Sequence, residues 1–137
     1  MENWVQGVIS KWKSEDIKLN PPATIVEIEN TEAVLNFTFP ADFKEFYLQA
    51  NGFNEWDMLD NSYISLWPLD RIIEEYNKWG GPEFIGVCDF LINSHAIGFV
   101  KNQSGVFKSY NYLENNAIAE TYQEAIRMIN SGAGAIY

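Results

Sequence analysis

Apolar residues recur at intervals of three and four along several stretches of the chain, the spacing that gives a helix one apolar face. Proline or polar residues precede these stretches, and glycine, asparagine or a polar run follows them. Both features are typical of helix boundaries. The pattern predicts helices over about residues 2–13, from Pro40 to Ala50, from about Leu69 to Trp79 and from about Thr121 to Asn130.

A further segment, ATIVEIENTEAVLN (23–36), follows Pro21-Pro22 and has a weaker pattern. Ile25 and Ile28 are spaced as on a helix, but several of the apolar residues are β-branched, which favours strands. We therefore predict a second helix here and keep a strand as the alternative.

The stretch FTFPADFKEFYLQANGF, residues 37–53, has the clearest start and stop signals. Pro40 is predicted at the first helical position, where its fixed φ fits and its missing N–H removes no hydrogen bond. Asp42 follows in the first turn, where a carboxylate meets the positive end of the helix dipole. Asn51-Gly52 is predicted to end the helix, because both residues tolerate a left-handed backbone. The side chains predicted to be buried against a β-sheet are Phe43, Phe46 and Tyr47, together with Ile126 and Ile129.

Short apolar runs predict strands in the second half of the chain. One run extends from Tyr63 to Trp67 and ends at Pro68. Three more, at 84–92, 95–101 and 105–112, are separated by short polar turns of the kind that connect antiparallel strands. Because helices come first and these strands are grouped, the order predicts an α+β fold with helices packed on an antiparallel meander sheet.

The composition indicates one domain and a cytoplasmic location. Of the 137 residues, 47% are hydrophobic and 15% aromatic, which is enough for one core in a chain of common domain size. We expect a single domain over residues 1–137. No apolar run reaches the length of a membrane span, and the opening MENWVQGVISKWKSEDIK lacks the basic start and apolar centre of a signal peptide.

The net charge of −10 is unevenly distributed. Residues 23–60 contain eight acids and a single base, Lys44. Such a field repels nucleic acid and anionic membranes and favours cationic partners, so we expect a basic protein partner, no nucleic acid and no membrane. An acidic surface that serves solubility alone is the alternative.

The residue combinations typical of catalysis or cofactor binding are missing. His95 is the only histidine, Cys88 is the only cysteine, and no Gly-x-Ser-x-Gly elbow or phosphate-binding glycine loop occurs. We predict a structural or solvated role for His95 and burial for Cys88, which lies in an apolar run. The sequence therefore predicts no enzyme activity, no cofactor and no metal site.

Carboxylate pairs leave one catalytic alternative open. With nineteen acids in the chain, some pair always falls at a plausible distance, so a carboxylate-dependent hydrolase is kept as a less favoured hypothesis. The acids that could form such a pair are Glu29, Glu32, Asp57, Asp60, Asp70, Glu74 and Glu75.

The polar segment FNEWDMLDNS, residues 53–62, carries an aromatic residue among acids. Trp56 stands in a segment too polar for a core strand, which makes it a candidate interface anchor, although it could equally fold back as a lid on the sheet. The partner-binding surface is predicted to comprise Glu55, Trp56, Asp57 and Asp60, with Asp70, Glu74 and Glu75 on the following helix.

These segments together resemble the SUKH superfamily. In its signature an apolar residue precedes proline, an acid stands two residues later, and an aromatic-rich helix ends at Asn-Gly, as in FTFPADFKEFYLQANGF. Glu29 looks like the glutamate of the preceding helix, YISLWPLDRIIEEYNKW is similar to the family's strand and helix, and AIAETYQEAIRMI is similar to its closing strand and helix. Two departures are Phe39 in place of the commoner leucine and the lack of a Gly-Asp pair in IGVCDFLINSHAIGF.

The resemblance implies an α+β fold without catalytic residues. For bacterial members it implies an immunity protein that neutralises a cognate toxin of a polymorphic-toxin or contact-dependent system by binding it. For eukaryotic members it implies a regulatory scaffold in cell-wall or signalling pathways. An acidic surface would suit a basic nuclease toxin, whose active site expects phosphates.

Overall fold

The computed structural model describes residues 3–54, 64–90, 95–110, 115–134 and 136. Over these residues the chain forms helices packed on an antiparallel sheet, which confirms the predicted α+β fold. The helices are α1 (Trp4–Ser14), α2 (Ile25–Leu35), α3 (Ala41–Tyr47), α4 (Leu69–Lys78) and α5 (Tyr122–Ser131). The strands are β1 (Ile64–Leu66), β2 (Phe84–Phe90), β3 (His95–Val100), β4 (Val106–Ser109) and β5 (Asn115–Ala119). None of the helices in these ranges is long and apolar enough to cross a membrane.

The strands form a meander in which each pairs with the next along the chain, in the order β1-β2-β3-β4-β5. Gly98 in β3 lies opposite Gly86 in β2, and a Cβ atom on Gly98 would stand 1.8 Å from the carbonyl oxygen of Ile85. Only glycine fits this close approach of two strands. Strand β5 was missed by the apolar pattern, because its sequence NNAIA has little periodicity, whereas the family resemblance indicated a closing strand there.

Segment 23–36 forms a helix, α2, and the strand alternative is wrong. Thr24 accepts a hydrogen bond from the backbone N–H of Glu27, and the carboxylate of Glu27 accepts one from the N–H of Thr24, each at 3.1 Å. This reciprocal capping satisfies two N–H groups at the helix start. Asn36 ends the helix in a left-handed conformation. Local hydrogen bonding therefore outweighs the β-branched composition.

Helix α3 differs from its prediction at both ends. Pro40 is the capping residue and the first helical residue is Ala41, while the last is Tyr47, well before Asn51-Gly52. Asp42 lies in the first turn, as expected. Its carboxylate accepts hydrogen bonds from its neighbour Phe43 and from the backbone of Gln123 at the start of α5, both at 2.9 Å.

Aromatic side chains fill the space between α3, α5 and the sheet. The rings of Phe39, Phe43 and Tyr47 stack in series with centroids 4.2 Å apart, and Phe99 of β3 meets Phe43 edge-on at 5.6 Å. Offset and edge-on contacts of this kind add stabilisation to that of area burial. The predicted burial is confirmed for Phe43, Phe46, Tyr47, Ile126 and Ile129.

Cys88 and His95, the only cysteine and the only histidine of the sequence, are both buried. Cys88 is 2% exposed, as predicted, and burial raises the pKa of its thiol well above the ordinary value. His95 is 3% exposed and donates from Nε2 to the carbonyl oxygen of Ile136 at 2.8 Å. The hydrogen bond joins the start of β3 to the segment after α5, which is a structural role.

Candidate protein-binding surface

Asn51 and Gly52 were predicted to end α3, but they contact Leu69 and Trp67 around the start of α4 instead. Gly52 has φ 70°, and a Cβ atom there would lie 2.6 Å from the carbonyl carbon of Trp67. The side-chain oxygen of Asn51 accepts a hydrogen bond from the N–H of Leu69 at 2.9 Å. Because Pro68 precedes α4 without a capping side chain, Asn51 supplies the missing cap from elsewhere in the chain.

Backbone hydrogen bonds join three connecting segments at this point. Asn54 donates to the carbonyl of Lys18 at 2.7 Å, and Asn20 donates to that of Gly52 at 3.0 Å. Phe53 donates to Leu66 at the end of β1, at 2.8 Å. The link between α1 and α2, the segment after α3 and the junction of β1 with α4 therefore form one cross-linked unit.

A groove of about 740 Å³ lies over this unit, between α2 and α4. None of the described residues that line it is basic, and two are acids, Glu27 and Asp70. Three of the amide side chains on its walls are hydrogen-bonded within the fold. That of Asn20 donates to the carbonyl oxygens of Asn51 and Phe53, that of Asn54 donates to the side-chain oxygen of Asn20, and that of Asn51 accepts from Leu69. The lining residues are Asn20, Pro21, Pro22, Glu27, Asn30, Thr31, Asn51, Asn54, Pro68, Leu69, Asp70 and Ile73.

The predicted partner-binding residues fall into two groups. Glu55, Trp56, Asp57 and Asp60 lie outside the described residues, although Asn54, which lines the groove, directly precedes them. The other three are on α4. Their positions on that helix differ.

Asp70 and Glu74, four residues apart on one face of α4, are exposed, and Asp70 lines the groove. Glu75 is only 8% exposed, because it follows Ile72 by three positions and joins the buried side of the helix with Tyr76. Its helical spacing from Ile72 was the sequence signal that separates it from the other two acids.

Helix α2 adds further negative charge beside the groove. It contains Glu27, Glu29 and Glu32 and no basic residue. Glu32 is used inside the fold, since its carboxylate accepts a hydrogen bond from the N–H of Phe39 at 2.7 Å and lies 3.4 Å from the ammonium of Lys44. Glu29, which resembles the family's glutamate, is exposed.

One charged pair elsewhere in the described residues is part of the packed interior. Arg71 lies 3.4 Å from the buried carboxylate of Asp89, and its guanidinium stands over the ring of Trp67 at 4.7 Å. The pair places opposite charges together in the interior. Within the described ranges no group of three or more His, Cys, Asp or Glu side chains is placed to hold a metal ion.

The fold defines an α+β domain of SUKH type, with helices on a five-stranded antiparallel meander. Residues 22–134 match the model of the SMI1 / KNR4 family (SUKH-1), so the chain belongs to this family. Members of the family are generally non-catalytic, bind partner proteins and have immunity or regulatory roles. Among curated proteins, none matches this sequence at a significant level.

Proposed function

We propose that this chain is a non-catalytic immunity protein that neutralises a cognate basic toxin of a bacterial polymorphic-toxin or contact-dependent system by binding it. The observation that carries the proposal is the groove between α2 and α4, whose charged lining residues in the described part of the chain are acids. A partner-binding family supplies the general role, and the sign of the charge supplies the class of partner.

A nuclease toxin suits this surface best. Enzymes that bind nucleic acid carry basic residues where phosphates are held, and an acidic protein is attracted to the same residues. Asp70 and Glu74 supply two exposed carboxylates on α4, and the sequence directly after Asn54 contains three more acids, Glu55, Asp57 and Asp60. Binding there would block the toxin's access to its substrate.

The partner-binding residues of the proposal are Glu55, Trp56, Asp57 and Asp60, with Asp70 and Glu74 on α4. Glu75 was predicted with this group, and its burial limits it to a contribution through charge and packing. Long-range attraction from the acids speeds association and weakens as salt rises, because the screening length is about 10 Å at 0.1 M ionic strength. A desolvated Trp56 acts instead on dissociation.

The experiment takes as candidate partner the product of any toxin gene that lies next to this one. Co-expression should restore growth, and binding rates should be measured on the purified pair over a series of salt concentrations. Reversing the charge of Asp57 and Asp60 should lower the association rate at low salt and have less effect at high salt. Trp56→Ala should raise the dissociation rate without unfolding the domain. Wild-type rates for both variants at every salt concentration would contradict this placement of the site.

A regulatory scaffold is the second candidate, because the family includes regulatory roles. Gene position separates the two: an isolated gene whose deletion changes a cell-wall phenotype favours regulation, and an adjacent toxin gene favours immunity. A carboxylate-dependent hydrolase is the least favoured alternative. Reproducible turnover that is abolished by one Asp or Glu substitution would replace the binding proposal.

A further inference from the structure

Asn51-Gly52 has a chemical reactivity that the capping of α4 does not use. In a flexible chain, the backbone nitrogen of the residue after an asparagine attacks the side-chain amide carbon, Cγ, of that asparagine. A C–N bond forms, ammonia leaves, and the product is a cyclic imide. Water then opens the imide on one side or the other, which gives aspartate or isoaspartate.

The residue after the asparagine decides how readily this imide forms. Glycine has no Cβ atom to shield its nitrogen, and its backbone is free to adopt the conformations that ring closure needs. Asn51-Gly52 is the only Asn-Gly pair in the sequence, and no Asp-Gly pair, which would form the same imide, occurs. The sequence therefore singles out Asn51 among the asparagines of the chain.

Water has access to the side chain of Asn51. The residue is half-buried and lines the groove between α2 and α4. Water is the reactant that opens the imide, so burial alone does not protect this amide. Protection in the native state must come from the conformation in which Asn51 and Gly52 are held.

Hydrogen bonds hold both the backbone and the side chain of Asn51. Its N–H donates to the carbonyl of Pro21 at 3.2 Å, and its carbonyl accepts from the side chain of Asn20 at 2.9 Å. Its Oδ1 accepts from the N–H of Leu69 at 2.9 Å. Ring closure brings Cγ of Asn51 and the nitrogen of Gly52 to bonding distance by rotation about the Cα–Cβ and Cα–C bonds of Asn51. These hydrogen bonds oppose both rotations.

Gly52 is held as closely as Asn51. It is buried, its carbonyl accepts from the N–H of Asn20 at 3.0 Å, and a Cβ atom there would lie 2.6 Å from the backbone of Trp67. Isoaspartate routes the main chain through the former side chain and so adds a methylene group before Gly52. The contact with Trp67 leaves no space for that shift, and the acceptor for Leu69 is displaced. Aspartate keeps the main chain and an acceptor oxygen.

We infer that Asn51 is a site of spontaneous deamidation that the native fold keeps unreactive, and that isoaspartate formed there prevents the native contacts around the start of α4 from forming again. The reaction proceeds from conformers in which the cross-linked unit has opened, so its rate reports local opening. The inference needs no partner protein, and its outcome is therefore separate from that of the proposed function.

The first experiment compares deamidation in the folded full chain with deamidation in the same chain unfolded by guanidinium chloride, at one mildly alkaline pH and one temperature. Mass spectrometry of proteolytic peptides measures aspartate and isoaspartate at residue 51 over time. The folded chain should react at least about tenfold more slowly, because only the open fraction reacts. Equal rates in the two states would overturn the inference.

Variants test whether the hydrogen bonds give the protection. Asn20→Ala removes the side-chain donor to the Asn51 carbonyl and should raise the rate severalfold in the folded chain, but not in denaturant. Asn54→Ala, which removes a hydrogen bond to the side chain of Asn20, is the milder second variant and should raise the rate less. Asn130→Ala is the matched control, because it removes a hydrogen bond to Trp12 outside this unit, and its rate should equal that of wild type. An equal rise in the control would assign the protection to global stability and overturn the inference.

Refolding tests the effect of isoaspartate. After reaction in denaturant and dialysis, limited proteolysis separates folded chains, which resist digestion, from unfolded ones. Isoaspartate at residue 51 should be confined to the digested fraction, whereas chains with aspartate there should be recovered folded, as should the variant Asn51→Asp. Recovery of isoaspartate and aspartate in equal proportions in the folded fraction would contradict the inferred effect on the fold.

Discussion

Helices α3 and α2 are both short and rich in apolar residues, but they use those residues differently. Every aromatic side chain of α3 is buried in the ring cluster beneath the sheet. In α2 only Ile28 and Leu35 of the aliphatic residues are buried, and Val26 and Val34 face outwards. The difference shows that apolar content alone does not place a helix in the core. On α3 the apolar side chains stabilise the fold, whereas Ile25, Val26 and Val34 of α2 stay exposed.

The largest effect is expected from the α3 side of this comparison. Phe46→Ala should lower the free energy of unfolding by roughly 3–5 kcal/mol, because the ring is fully buried and leaves a cavity. Leu48→Ala, at an exposed position one residue beyond α3, is the control and should cost far less. Urea denaturation measures both. A loss below about 1 kcal/mol for Phe46→Ala would mean that α3 faces solvent or a partner.

Gly52→Ala tests the close contact that follows α3. The positive φ should cost about 1–3 kcal/mol in backbone strain, and the new Cβ would also meet the backbone of Trp67 at 2.6 Å. Gly132→Ala is the matched control, because its φ is 72° and nothing lies within 4 Å of its Cβ position. Thermal or urea unfolding should show the larger loss for Gly52. Equal losses of stability in the two variants would mean that the contact with Trp67 does not contribute to the effect of Gly52→Ala.

Asn51→Ala tests whether this side chain caps α4. Loss of the acceptor for the Leu69 N–H should cost about 1 kcal/mol, in the usual range for a helix cap. Asn51→Asp keeps an acceptor oxygen and places a negative charge at the helix start, so its stability should stay close to wild type. Hydrogen exchange at the start of α4 should rise in the alanine variant. If it rises at the end of α3 instead, the capping role is wrong.

The pH dependence of stability tests the buried histidine. Burial lowers the pKa of His95 below the ordinary value of 6.5, partly offset by its hydrogen bond to Ile136. Well above pH 6.5 the ring is neutral in both states, and the contribution to stability is complete. As pH falls from there towards the lowered folded pKa, the unfolded chain takes up a proton first and stability decreases.

His95→Gln should reduce this loss of stability between neutral and mildly acidic pH, since it removes the titrating group and keeps a donor for the Ile136 carbonyl. Because the chain has one histidine, a single NMR resonance reports the folded pKa directly. A folded pKa above 6.5, or an unchanged pH dependence in the variant, would contradict the account.

The smallest effect is expected at the exposed valines of α2. Val26→Ser and Val34→Ser should each change the free energy of unfolding by less than about 0.5 kcal/mol, as for other exposed positions. Ile28→Ala, on the buried side of the same helix, should cost about 2–5 kcal/mol. Denaturation of the three variants measures the contrast within one helix. A large loss at Val26 would mean that this side chain packs against the fold.

Local sequence patterns were sufficient to predict the bounds and the buried side of a helix where it has one apolar stripe and its own start and stop signals. Helix α4 begins at Leu69 and is followed by Gly80 and Gly81 with positive φ, and α5 is capped by Thr121 and Gly132; the bounds of both helices lie within one residue of those predicted. The burial of Phe43, Phe46 and Tyr47 follows from their spacing. These features depend on residues within one or two turns of each other, so their physical causes are contained in the local sequence.

Contacts between residues distant in sequence decided the features that the local patterns did not predict. Asn51 and Gly52 have the composition of a helix end, but α3 ends earlier, at Tyr47. The side chain of Asn51 instead accepts a hydrogen bond from Leu69, and Gly52 lies against the backbone of Trp67. In α2 the packing of the helix against the fold decides that Ile28 and Leu35 are covered while Val26 and Val34 stay exposed. Which distant residues contact each other, and which side of a helix is covered, depend on how the elements pack together, and the local sequence does not contain that information.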